Sequence, residues 1–78
     1  MPRYYFHLYN DEIACDEEGQ VLRNDALALQ EGARNARAMA AESVCNGHLV
    51  LDHRIEVMRE DGRKVGTIHF RDVVKVQA

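Results

Sequence analysis

The sequence predicts an α+β domain in which an antiparallel sheet of about four strands is covered on one face by a single helix, in the order β-β-α-β-β. Three observations lead to this prediction. Residues 3–9 alternate in polarity with a period of two, residues 26–46 form an alanine-rich segment without proline, and Asp61-Gly62 lies between two further alternating segments. With only 78 residues, the chain is expected to form one small globular domain, residues 1–78.

The first strand carries four of the five aromatic residues of the chain. Because side chains alternate across a strand, Tyr4, Phe6 and Leu8 share one face. We expect this face to pack in the core, and Phe6 to be buried between sheet and helix. The opposite face carries Tyr5, His7 and Tyr9.

Two short segments follow the first strand. A polar turn at 10–12 leads into Ile13–Cys15, which is expected to form a return strand. The turn at 16–19 ends in Gly19, which can adopt a positive φ angle. Val21 and Leu22 then extend or resume the pairing.

The helix is predicted from Ala26 to about Asn46 because alanine is the best helix former. Asn24 or Asp25 can cap its first turn, and Gly47 is expected to end it. One apolar stripe is predicted to face the sheet and consists mostly of small residues: Leu29, Ala33, Ala36, Ala40 and Val44.

The last third is predicted to be a hairpin with a two-residue type I′ turn at Asp61-Gly62. That register pairs residues on two faces. The pairs expected toward the helix are His53–Phe70, Ile55–Ile68 and Val57–Gly66. The pairs expected on the other face are Arg54–His69, Glu56–Thr67 and Met58–Val65. Residues 72–76 fit either a short strand or a helical turn.

The sheet face opposite the helix is the candidate interaction face. It is expected to gather residues with aromatic, cationic or polarisable side chains, types that are common at protein interfaces. These residues are Tyr5, His7, Tyr9, Arg54, Met58 and His69.

The chain resembles a family of short, uncharacterised bacterial proteins that is classified only as a domain of unknown function. The resemblance rests on the opening M-P-R-Y-Y-F-H-L, the D-E-E-G turn before the helix, and the E-D-G-R hairpin followed by F-R-D-V-V. It covers nearly the whole chain and implies a compact α+β domain in the bacterial cytoplasm. It implies no activity, cofactor or catalytic residue.

The charge and the cysteine content of the chain bear on its cellular compartment and on its partners. The sequence contains no secretory signal and no apolar segment long enough to span a bilayer, so a cytoplasmic protein is expected. In a reducing cytosol, Cys15 and Cys45 are expected to remain small, at least half-buried thiols rather than a disulfide. The net charge of −3 argues against a dedicated nucleic-acid-binding protein.

Residues capable of metal or catalytic chemistry occur, but not in a favourable pattern. Cys45, His48, Asp52 and His53 offer metal-ligand types, yet their spacing differs from common zinc sites. Neither Ser43 nor Thr67 has a base positioned by a third group, as a nucleophile requires. We therefore expect no metal, no cofactor and no enzymatic activity.

The functional prediction is a small interaction or accessory domain that binds itself, as a homodimer, or another protein through the candidate face. The alternative is a single-stranded nucleic-acid-binding accessory protein, in which the exposed rings stack on bases. The five carboxylates in the two nearby turns would repel phosphates, so this alternative is less favoured.

Overall fold

The computed structural model describes residues 1–10 and 12–75 and has the predicted α+β architecture, an antiparallel sheet with one main helix on one face. Position 11 of the first predicted turn and position 76 of the predicted tail element lie outside the described residues. The elements in chain order are β1 (Arg3–Tyr9), β2 (Ile13–Ala14), β3 (Gln20–Val21), α1 (Asp25–Cys45), β4 (Arg54–Arg59), β5 (Lys64–His69) and α2 (Phe70–Val73).

The described residues form five strands rather than four, and the order in the sheet is β2-β1-β4-β5. The additional strand is β3, which pairs with the same edge of β1 as β2 does. Leu8 lies opposite Ala14 at one end of that edge, and Arg3 lies opposite Val21 at the other. Between them, the N–H of Phe6 donates to Oδ2 of Asp16 at 3.1 Å. A side chain thus completes the edge where no strand pairs with it.

The hairpin register is confirmed at Ile55–Ile68 and Val57–Gly66, but the predicted type I′ turn is wrong. Gly62 has a φ of +89°, whereas no described non-glycine residue has a positive φ, as a type I′ turn would require at Asp61. The N–H of Gly62 donates to the carbonyl of Arg59, which closes a three-residue loop.

A bulge next to this loop explains why the partners of residues 54–57 were nevertheless predicted correctly. Met58 lies opposite Lys64, not opposite Val65 as predicted. The longer loop shifts the register by one residue, and the irregularity between Val57 and Met58 shifts it back. Val65 packs against the core instead of lying on the opposite face.

The core lies between α1 and the sheet, on the side predicted from the alternation in β1. Phe6 and Leu8 are only partly buried, so the expected full burial of Phe6 is wrong, although both pack against the core. The buried apolar residues are Tyr4, Ala28, Ala36, Ala40, Ile55, Val57 and Phe70.

The buried stripe of α1 matches the prediction only at Ala36 and Ala40, and the predicted Leu29 and Ala33 are partly buried. Ala28 and Gly32 are buried, together with Ala36 and Ala40, while Val44 is 56% exposed. The absence of a side chain at Gly32 lets this part of α1 pack against the sheet, because a Cβ there would lie 3.1 Å from both Val57 Cγ2 and Ile68 Cγ1. The helix therefore packs tightly against the sheet at a glycine, a residue that was not counted in the apolar pattern.

Both helix ends follow the sequence signals. The side chain of Asn24 accepts a hydrogen bond from the Leu27 N–H at 2.9 Å. At the other end, Gly47 has a φ of +93°, and the N–H of His48 donates to the carbonyl of Ser43. Of the tail residues 72–76, for which a strand or a helical turn was left open, Asp72 and Val73 belong to a helical turn, Phe70–Val73, and residues 74 and 75 lie in no helix or strand.

Both cysteines differ from the expected half-buried thiols. Cys15 and Cys45 are free and exposed, because Cys15 follows the short edge strand β2 and Cys45 ends α1 away from the sheet.

Candidate interaction face

The six residues of the predicted interaction face lie on one side of the sheet, the side that α1 leaves uncovered. Tyr5 is opposite Met58 and Tyr9 is opposite Arg54 in the β1–β4 ladder, and Arg54 is also opposite His69 in the β4–β5 ladder. We call this surface the open face; it comprises Tyr5, His7, Tyr9, Arg54, Met58 and His69.

The rings of β1 form a row along the open face. Tyr5 and His7 are stacked, with ring centroids 6.3 Å apart and an angle of 6° between their planes. The guanidinium carbon of Arg54 lies 4.4 Å from the centroid of the Tyr9 ring. This distance is within the range of a cation–π interaction, so the cation is held against the end of the row.

His7 is held in this row by the turn that follows β2. The N–H of Asp16 donates to Nδ1 of His7 at 3.0 Å. The carboxylate of Asp16 in turn accepts hydrogen bonds from the N–H groups of Phe6, Glu18 and Gly19. Burial raises the pKa of Asp16, but these three hydrogen bonds and the adjacent His7 lower it more, and the net result is a lowered pKa.

Tyr5 is positioned by the same turn, through Gly19. This glycine has a φ of +69°, and a Cβ added to it would lie 2.7 Å from the carbonyl oxygen of Tyr4 and 2.9 Å from Cε1 of Tyr5. The backbone of the turn therefore lies directly against the edge of the Tyr5 ring. A glycine is required both for the conformation and for the space.

A row of charges runs beside the rings, on β4 and β5. Glu56 accepts from Nε of Arg54 at 3.2 Å, and its other oxygen lies 3.5 Å from Nζ of Lys64. Burial raises the pKa of Glu56, but Arg54 and Lys64 outweigh this and lower it. The Glu56 side chain is only 17% exposed, against 39% for Arg54 and 51% for Lys64. The accessible charge on this part of the open face is therefore cationic.

Sequence reasoning did not include three residues that shape the open face. Glu56 was placed on this face by the alternation but was not selected as a site residue. Lys64 reaches it only because of the bulge, which no local pattern indicated. Asp16 was treated as part of a solvated turn, although its position four residues before a strand-pairing segment offered a signal for a capping carboxylate.

The residues considered for metal binding are only partly brought together: His48 and His53 line one cleft at the end of α1, and Cys45 and Asp52 are not among the residues that line it. Cys45 is exposed at the end of α1, whereas His53 packs edge-on against Phe70 with ring centroids 5.6 Å apart. Within residues 1–10 and 12–75, no group of three or more histidine, cysteine, aspartate or glutamate side chains is arranged to hold a metal ion.

The fold and the open face together define a class of protein, a small α+β domain with one helix-covered and one uncovered sheet face. Among the described residues, no helix is long and apolar enough to cross a membrane.

Residues 3–71 match the family described as domain of unknown function DUF6894, and the chain belongs to this family. No curated protein and no solved structure matches the chain.

Proposed function

We propose that this protein is a self-associating interaction domain whose open face docks against the open face of a second copy. The observation that carries the proposal is the ordered row of Tyr5, His7 and Tyr9 beside the cationic side chains of Arg54 and Lys64. A tyrosine combines a large apolar ring with a polar tip, which suits a surface that is wet in one state and covered in another.

The rings are fixed before any partner arrives, which supports docking. Asp16 bonds His7, the turn at Gly19 lies against Tyr5, and Arg54 lies over Tyr9. Side chains that are already ordered lose little conformational entropy on binding. The side chains of the open face therefore need little further ordering when a partner binds.

A second copy is the occupant that fits because the open face is complementary to itself. A two-fold axis that is parallel to the strands and lies between two sheets packed face to face reverses the left-to-right order of the strands in one sheet relative to the other. It places the rings on β1 of one copy over the accessible cations on β4 and β5 of the other, and the reverse. The two tyrosine rings then lie near cations, Tyr9 near Arg54 and Tyr5 near Lys64, while the recessed carboxylate of Glu56, which is opposite His7 in the ladder, stays paired within its own chain.

The size of the domain supports the same proposal. A chain of 78 residues buries only about 60% of the surface that it exposes when unfolded. Small domains commonly gain stability by oligomerisation, and covering a half-exposed aromatic face contributes additional apolar burial.

A binding role rather than catalysis is part of the proposal. Among the described residues, the only hydrogen bond to a histidine ring joins His7 to the backbone of Asp16, so neither Ser43 nor Thr67 is bonded to a histidine base. Single-strand binding is less well supported, because the carboxylate-rich turn at 16–18 packs beside His7 and would repel phosphates.

The experiment replaces Tyr5 with lysine and Tyr9 with glutamate in one variant and measures molar mass by light scattering. Wild type should be dimeric at high concentration, and the double variant should be monomeric while remaining folded by circular dichroism. The matched control is Ala38→Lys with Ala41→Glu, which introduces the same two charges on the exposed side of α1. This control should remain dimeric.

Three results would contradict the proposal. They are a monomeric wild type at high concentration, a double variant that dimerises as wild type does, and a control that loses the dimer equally. A monomeric wild type that binds oligothymidylate through the open face would favour the nucleic-acid alternative.

A further inference from the structure

A cleft at the C-terminal end of α1 lies on the helix side of the sheet, away from the open face. Its volume is about 320 Å³. Leu8, Met39 and Phe70 provide apolar walls, and Glu42, Ser43 and His53 provide polar groups. Concave sites that combine apolar walls with a few polar groups are the usual form of a small-molecule site.

The charges around the cleft favour a cation. Among the described residues that line it, Glu42 carries the one carboxylate, neither lysine nor arginine is present, and the basic side chains are the imidazoles of His48 and His53. The last turn of α1 also contains no basic residue, so the negative end of the helix dipole is not compensated there by a side chain.

His53 provides an independent indication that a hydrogen-bond partner is missing. Its Nε2 is buried and has no hydrogen-bond partner among the described residues. The ring packs edge-on against Phe70, so it is held in place. A buried nitrogen without a partner is uncommon, and in the tautomer that carries the ring proton on Nδ1 a bound donor would satisfy it.

The apolar wall of the cleft favours a ligand that carries a hydrocarbon group. Met39 is 37% exposed and lines the cleft, so its side chain is left partly in water. Methionine is unbranched and flexible, so the side chain of Met39 can adjust to a ligand in the cleft. Covering it would also remove apolar surface from water.

We propose that this cleft binds a small primary ammonium compound with a short apolar body. The ammonium group pairs with the carboxylate of Glu42 and supplies N–H donors for the hydroxyl of Ser43 and for Nε2 of His53. The hydrocarbon body lies against Leu8, Met39 and Phe70. The role of the open face does not depend on this site.

The test is a titration of the ¹⁵N-labelled protein with n-butylammonium chloride at constant ionic strength, followed by amide chemical shifts. Saturable shifts are expected at Met39, Glu42, Ser43 and His53. n-Butanol, which shares the hydrocarbon body without the positive charge, and sodium butyrate, which carries a negative charge on a hydrocarbon chain one carbon shorter, should bind more weakly. Glu42→Gln should weaken binding of n-butylammonium by about threefold to fivefold, since the carboxylate is exposed to solvent.

The matched control is Glu60→Gln, which removes one carboxylate from an exposed turn outside the cleft. Its affinity for n-butylammonium should equal that of wild type. The proposal is overturned by the absence of saturable shifts at these residues, by equal binding of butyrate or butanol, or by an equal effect of the two substitutions.

Discussion

The hydroxyl of Tyr4 donates a hydrogen bond of 2.6 Å to Oδ1 of Asp25, and this bond joins the buried start of β1 to the first turn of α1. Asp25 also receives Nη2 of Arg63 at 2.8 Å and Nη1 of Arg59 at 3.3 Å. One carboxylate thus connects the helix to the first strand and to both sides of the hairpin.

This arrangement predicts that stability falls in acid. The hydrogen bond from Tyr4, together with Arg63 and Arg59, lowers the pKa of Asp25 against the opposing effect of burial. A carboxyl whose folded pKa is lowered contributes stability above its unfolded pKa, which is about 4, and that contribution is lost as the pH falls through the folded value. Urea unfolding at a series of pH values should therefore show a decline below about pH 4.

Two substitutions separate Asp25 from the other carboxylates in that decline. Asp25→Asn should lower stability at neutral pH and make the acid decline shallower. Tyr4→Phe removes the hydroxyl donor alone and should also make the decline shallower, though by less. An unchanged pH dependence in Asp25→Asn would show that Asp25 does not contribute in this way.

The second prediction concerns Gly19, which combines a positive φ with close contacts to Tyr4 and Tyr5. A left-handed conformation costs an L-residue about 1–2 kcal/mol, and the contacts add to that cost. Gly19→Ala should thus destabilise by more than about 2 kcal/mol in urea unfolding.

Gly62→Ala is the matched control for Gly19. Gly62 has a φ of +89°, but a Cβ there would meet nothing within 4 Å. Its substitution should cost only the conformational part, about 1–2 kcal/mol. If both substitutions destabilise equally, the turn does not press against β1 as the structure indicates.

The third prediction concerns Gly32, where α1 packs tightly against the sheet. A valine there would force its branched side chain against Val57 and Ile68, and overpacking of this kind costs about 1–3 kcal/mol. Ala38→Val on the exposed side of α1 should cost only about 0.5 kcal/mol, from helix propensity alone. Urea unfolding of both variants checks this, and a Gly32→Val variant as stable as Ala38→Val would be inconsistent with the close approach.

The parts of the fold that were predicted correctly depend on local patterns. The alternation in residues 3–9 determined which side of β1 faces the helix, and it placed Tyr5, His7 and Tyr9 together on the other side. The caps at Asn24 and Gly47 follow from preferences of single residues.

The features that were not predicted depend on contacts between residues distant in the sequence, or on two irregularities whose effects on the strand register cancel. Glu60-Asp61-Gly62 can form either a two-residue or a three-residue hairpin loop, and the bulge that restores the register appears only in the folded sheet. Asp16 caps the N–H of Phe6, which is distant in sequence, so turn composition alone did not reveal this role. The burial of Gly32 depends on Val57 and Ile68, which belong to different strands.

The central claim is that the open face is a contact surface between two copies, and amide chemical shifts on dilution test it most directly. If the proposal is right, shifts of the ¹⁵N-labelled protein should change with concentration at Tyr5, His7, Tyr9, Arg54 and Met58, and not at Ala38 or Ala41 on the outer side of α1. Spectra that are identical at all concentrations for a monomeric protein, or changes confined to α1, would contradict it.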